Sequence, residues 1–242
     1  MKKWAKAILV LMVLCTVLIM AVALYANDYY RAVDIDEYMT DNADADADVD
    51  VIQIKDGYFF DGPGTENALI FYPGAKVEET AYAPILNSLA NQGIDCFLIR
   101  MPMKLAFLGL SKADGICDEY SYTHYYLAGH SLGGAMIANY SAEHIEDYSG
   151  LFLLAAYPTA DLTNASFPVV FIFGENDEVL NREKLEDSFA LVPSDYSETV
   201  IHGGNHAQFG SYGAQDGDGS ATITAKEQWK ITVDTILKVI NK

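Results

Sequence analysis

The run Gly129-His130-Ser131-Leu132-Gly133-Gly134 places one hydroxyl between two residues that lack a Cβ. A strand-like run, Tyr125 to Ala128, precedes it and an apolar helical run follows, so it predicts a strand that turns sharply into a helix. Gly129 and Gly133 permit that turn and let the residue between them take a strained backbone conformation. Ser131 Oγ then stands free above a sheet, at a helix N-terminus that favours negative charge. This is a setting for nucleophilic attack on an acyl carbon.

A serine hydroxyl is a weak nucleophile at its own pKa, so this chemistry needs a histidine and an orienting carboxylate downstream. The strand-like run Val169 to Phe173 ends in Gly174-Glu175-Asn176-Asp177-Glu178-Val179, and Asp177 is the best-placed acid, with Glu175 and Glu178 as competitors. The run Thr199 to His202 leads into Gly203-Gly204-Asn205-His206, a glycine-rich turn able to carry the His206 ring over the elbow. His202 reads as a strand residue, His124 and His144 fall on the wrong elements, and His130 is the spacer within the elbow. An oxyanion needs two backbone donors. Leu132 N–H is one. The other comes from Pro73-Gly74-Ala75-Lys76-Val77, where proline has no N–H, so Ala75 is the expected donor and Lys76 the runner-up.

The elements that must hold these residues alternate along the chain. Val51 to Lys55 and Tyr58 to Asp61 read as an opening hairpin around Asp56-Gly57. Further strands are expected at Ala68 to Tyr72, Ile94 to Ile99, Tyr125 to Ala128, Leu151 to Ala155, Val169 to Phe173 and Thr199 to His202. Between and after them, Glu79 to Asn91, Leu132 to Ile145, Arg182 to Leu191 and Ala225 to Ile240 read as helices. Alternating strands and helices predict an α/β fold with a mainly parallel, doubly wound sheet.

Several segments together resemble the alpha/beta-hydrolases. They are Phe71 to Val77, Ala81-Tyr82-Ala83-Pro84, Met101-Pro102 with Leu105-Ala106, Gly129 to Gly134, and Gly204 to Gly210, with the tail Gln215 to Ile223. The set is similar to the small bacterial group catalogued as the fifth alpha/beta-hydrolase family, and it spans essentially all of Val51 to the C-terminus. The resemblance implies that fold, a Ser131, Asp177, His206 triad, and hydrolysis of an ester-like bond. Ala75 stands where such proteins often have a second glycine. Only Ala156 to Pro168 separates two late strands at the place where lids usually enter, so the site is expected to be an open cleft without a lid domain.

The 242 residues are 51% apolar, a globular share, and carry 15 bases against 34 acids, a formal charge of −19. That balance excludes nucleic-acid binding, which needs a basic face. Three cysteines make no disulfide framework. At the start, Lys2, Lys3 and Lys6 precede Ala7 to Ala26, a stretch without a charge that is long enough to span a bilayer. Residues 1–30 therefore read as an uncut membrane anchor with the body outside the cell. The alternative is a signal sequence cut near Ala21-Val22-Ala23, giving a secreted protein. Residues 31–50 read as an acidic linker, with eight acids from Asp34 to Asp50, expected to be a solvated tether. Residues 51–242 then form the hydrolase domain.

The segment Asp216 to Ile223 with Glu227 imitates a calcium loop, but Ala221 holds the sharp-turn position, and a Thr224–Glu227 capping box is the preferred reading. No metal or cofactor is required. The expected partners are a small-molecule or envelope acyl ester and, through the N-terminal helix, the membrane. Two other functions suit the same residues: acyl transfer to an envelope acceptor, and binding without catalysis.

Overall fold

A computed structural model describes residues 3–39 and 49–241. Among them are eight strands: β1 (Asp50–Ile54), β2 (Gly57–Asp61), β3 (Asn67–Tyr72), β4 (Ile94–Ile99), β5 (His124–His130), β6 (Gly150–Leu154), β7 (Val169–Gly174) and β8 (Ser197–Ile201). They form one sheet in the order β1-β2-β4-β3-β5-β6-β7-β8. β1 and β2 are an antiparallel hairpin, β2 lies antiparallel to β4, and the strands from β4 to β8 run parallel. The register puts Ile70 opposite Phe97 on one side and Leu127 on the other, so the middle of the sheet is a continuous apolar slab.

Alternate residues of each strand feed two cores, as the two-residue period requires. Leu69 and Phe71 of β3 pack with α3 (Ala83–Ala90) and α7 (Ala225–Ile240), where Leu86, Trp229 and Ile236 are buried. Ala68, Ile70 and Tyr72 face the other way, toward α4 (Lys112–Glu119), α5 (Leu132–Ser141) and α6 (Arg182–Ser188), with Ile116, Ile137 and Leu185. Helices therefore cover both faces, the α/β arrangement that the alternation of elements predicts.

The elements differ from expectation in places. The helix expected over Glu79 to Asn91 is a 3-10 turn at Glu79–Tyr82 followed by α3, with Pro84 in the first turn of the helix, where its missing N–H costs nothing. α5 stops at Ser141, whose hydroxyl turns back onto Ala138 O. α6 gives way to a 3-10 turn at Phe189–Leu191. Residues 155–168 contain no helix or strand.

Ahead of the sheet, α1 (Lys3–Asn27) is apolar all round and exposed, and it is long and apolar enough to cross a membrane. Thr16 in its middle bonds Met12 O, which satisfies its hydroxyl in an apolar setting. The following segment corrects the picture of a free tether. α2 (Asp36–Met39) lies against α3, and Tyr38 meets Trp229 edge-on at 6.2 Å between ring centroids. Val49 is buried. Both ends of the acidic segment thus have apolar residues to bury, which its charge count conceals. The Asn-Ala-Asp repeat lies outside the described residues.

Candidate active site

Ser131 sits at φ 52° and ψ −124°, between β5 and α5. This is the left-handed region, which costs a non-glycine residue energy and persists only where the surroundings enforce it. They do so here. A Cβ on Gly133 would fall 2.2 Å from Tyr72 O, and one on Gly129 would fall 2.7 Å from the Gly133 carbonyl carbon. No side chain fits at either place, so strand, turn and helix pack backbone against backbone. Ser131 N–H donates to Leu154 O at 2.9 Å and Ser131 O accepts from Ala135 N at 3.0 Å, pinning the elbow from both sides.

His206 and Asp177 form a buried pair. His206 Nδ1 lies 2.9 Å from Asp177 Oδ2, and the two side chains are 2% and 0% exposed. The other oxygen, Asp177 Oδ1, accepts from Val179 N at 2.9 Å and Leu180 N at 2.8 Å. An ionised carboxylate can only accept, so Nδ1 carries the proton and Nε2 is left with a lone pair. His206 Nε2 is buried and has no hydrogen-bond partner among the described residues. Of the competing acids, Glu175 is exposed and accepts from Gly203 N, while Glu178 is exposed. His202 is 86% exposed. His124 bonds Ser149 and His144 bonds Asp147, away from the elbow.

Ser131, Leu132 and His206 line one cleft of about 380 Å³, whose walls include Met136, Tyr157 and Leu180. No hydrogen bond joins Ser131 to His206 among the described residues; such bonds are often long or poorly aligned where no substrate draws the two groups together. Leu132 begins α5, so its N–H has no intrahelical acceptor. Ala75 is not among the cleft-lining residues, but its loop abuts the elbow through the contact of Gly133 with Tyr72 and Pro73. Within that loop Gly74 N–H is taken by Tyr82 Oη and Lys76 N–H by Lys104 O. Lys76, at φ 58°, and not Ala75, takes the left-handed conformation, so the methyl of Ala75 creates no strain.

Three positioning groups escape a reading of the sequence. Asp218, in the segment that imitates a calcium loop, accepts from Ala207 N at 2.8 Å and His206 N at 3.3 Å, holding the turn that carries the histidine. Gln228 clasps Asn205 in both directions, at 3.1 and 2.8 Å. Glu227 joins Thr224 in the expected capping box. The third is His130. Its Nδ1 lies 2.8 Å from Tyr82 Oη, which already accepts from Gly74 N, and its ring centroid is 4.5 Å from that of His206. Burial pushes the Tyr82 phenol up, so Tyr82 keeps its proton in its hydrogen bond with His130 Nδ1. One buried chain thus ties the Gly74 loop, the elbow and the turn that carries His206 together.

Burial, reinforced by the neighbouring His206, holds His130 well below the ordinary imidazole value of 6.5. The unfolded chain therefore binds a proton below pH ~6.5 that the folded chain refuses, and stability falls as pH falls from there toward the folded value. His130→Gln, whose amide can donate to or accept from Tyr82, should flatten this loss. Melting temperatures between about pH 5 and 7 check it; parallel slopes for the two proteins would contradict it.

The model of the alpha/beta hydrolase family matches residues 68–230. No curated protein matches the sequence. Among solved structures, Est1E from Butyrivibrio proteoclasticus is 15% identical with a TM-score of 0.58, covering 80% of this chain and 99% of its own. Dienelactone hydrolase from Anabaena variabilis is 12% identical with a TM-score of 0.59, covering 79% and 99%. An alpha/beta hydrolase enzyme from the sediment metagenome of the Mar Chica lagoon, Morocco, is 15% identical with a TM-score of 0.59, covering 80% and 100%. At these identities the likeness is one of fold.

Proposed function

The chain belongs to the alpha/beta hydrolase family, and from that premise we propose that it is a membrane-anchored serine hydrolase cleaving ester-like acyl bonds on the outer face of the membrane. The observation that carries this reading is the buried His206–Asp177 pair, whose histidine lines the same cleft as Ser131 and whose Nε2 has no hydrogen-bond partner among the described residues. Asp177 holds the imidazole with its proton on Nδ1. His206 Nε2 takes the proton of Ser131 Oγ as that oxygen attacks the acyl carbon, and the N–H groups of Leu132 and Ala75 stabilise the oxyanion. The imidazolium returns the proton to the departing alcohol, leaving an acyl-serine. A water then repeats the sequence, releasing the acid and restoring Ser131. No step needs a metal or cofactor.

The open cleft suits an exposed bond, and the acidic surface disfavours strongly anionic substrates. α1 supplies the anchor, and the lysines at its start hold that end in the cytoplasm. The test is reaction of the wild-type protein with a fluorophosphonate, followed by peptide mapping. We expect one adduct, on the peptide containing Ser131. A folded protein that takes no label, or takes it on another serine, would overturn the assignment.

A further inference from the structure

The end of α1 meets the loop that abuts the Ser131 elbow. Three residues after α1 ends at Asn27, Tyr30 forms a parallel bridge with Val77. Tyr30 N–H donates to Lys76 O at 2.7 Å and Glu78 N–H to Tyr30 O at 2.9 Å. Lys76, the residue after Ala75, donates to Tyr25 O inside the last turn of α1 and lies 3.9 Å from the centroid of the Tyr25 ring. The loop assigned to the oxyanion is thus strapped to the end of the apolar helix, and three extended residues reach only about 10 Å. The acidic stretch lies after this strap, so it gives the body no freedom to swing away.

Next to the strap is an apolar rim. Ala26 of α1 shares a surface pocket with Met101, Pro102 and Met103. The chain then enters a 3-10 turn whose Phe107 and Leu108 are 53% and 47% exposed. This turn packs on α5, the helix whose first residues line the cleft. The charges here nearly cancel, four bases against three acids: Glu79 binds Arg100 and Lys104, Asp56 binds Lys112, and Asp28 faces Lys76. In a chain of formal charge −19, this near-neutral, apolar face presents little of the negative charge that an anionic bilayer repels.

We propose that this face, formed by the end of α1, the strap and the Phe107–Leu108 turn, rests on the bilayer that holds α1. The cleft then opens at headgroup level, and its substrate class is an acyl ester carried by a membrane lipid. The inference rests on two readings already given, α1 as an uncut span and Ser131 as the nucleophile.

The test uses the full chain in lipid nanodiscs containing phosphatidylglycerol, given either a short soluble nitrophenyl ester or a fluorogenic phospholipid ester in the bilayer. Phe107→Asp combined with Leu108→Asp should slow the bilayer substrate about tenfold and leave the soluble one unchanged. A benzophenone side chain at position 108 should crosslink to lipid, and one at Val200 on the far edge strand should not. Equal rates on both substrates for wild type and variant, or no crosslink at 108, would overturn the inference while leaving the hydrolase reading intact. Inactivity on the soluble ester with lipid crosslinking at 108 would uphold the bilayer contact and overturn only the chemistry. An N-terminus beginning after Ala23 would remove the span and the inference with it.

Discussion

Ser131→Ala should lower kcat for a short soluble ester by about 10,000-fold or more, while leaving the circular dichroism and melting temperature essentially unchanged. The size follows from removing the atom that forms the covalent bond; what survives is the contribution of binding and oxyanion stabilisation alone. The fold should tolerate the change because alanine keeps the Cβ that the left-handed Ser131 already accommodates. Ser131 Oγ has no hydrogen bond to lose among the described residues, so no buried partner is orphaned. Steady-state kinetics on pure protein decide it: a loss below about tenfold would mean that the reaction does not pass through an acyl-serine at this position.

Asp177→Asn should cost a similar amount in kcat, about 10,000-fold, with little change in KM. The amide is the same shape as the carboxylate, but its two ends are no longer equivalent. Val179 N–H and Leu180 N–H both point at Oδ1, so the amide oxygen must stay there and the NH₂ must face His206 Nδ1. A donor at that place forces the ring proton onto Nε2, the wrong tautomer for a base. Turning the amide over would set its donors against two backbone donors, in a site from which water is excluded. Glu178→Gln is the control, because Glu178 is exposed; it should leave kcat within about twofold. Equal damage from both substitutions would mean that Asp177 has no special role.

Much of this arrangement is legible in the sequence wherever a local steric or hydrophobic demand writes it there. The elbow is legible because only glycine fits at positions 129 and 133. The parallel strands are legible because burial on both faces requires unbroken apolar runs, and α7 begins at its capping box. The helix α4 is not, since Lys112–Glu119 buries only Ala113 and Ile116 and carries Gly115 in its middle, leaving no periodic stripe to read. The strap is hidden for a different reason. Tyr30 and Tyr38 sit in an acidic, polar-looking stretch, and what holds them is Tyr212 and Trp229, which follow nearly two hundred residues later. The same holds inside the site. His130 reads as a spacer and Asp218 as part of a cation-loop imitation, and only the folded chain brings the first to Tyr82 and the second to the His206 turn.

The geometry of attack is the point most exposed to refutation, because Ser131 and His206 share a cleft here with no hydrogen bond between them. A crystal structure of the protein after reaction with a fluorophosphonate tests it directly. The account predicts phosphorus on Ser131 Oγ, a phosphoryl oxygen about 3 Å from the N–H groups of Leu132 and Ala75, and His206 Nε2 bonded to the adduct while Nδ1 stays on Asp177. An unmodified Ser131, or a modified one with the His206 ring held away from it, would contradict the account.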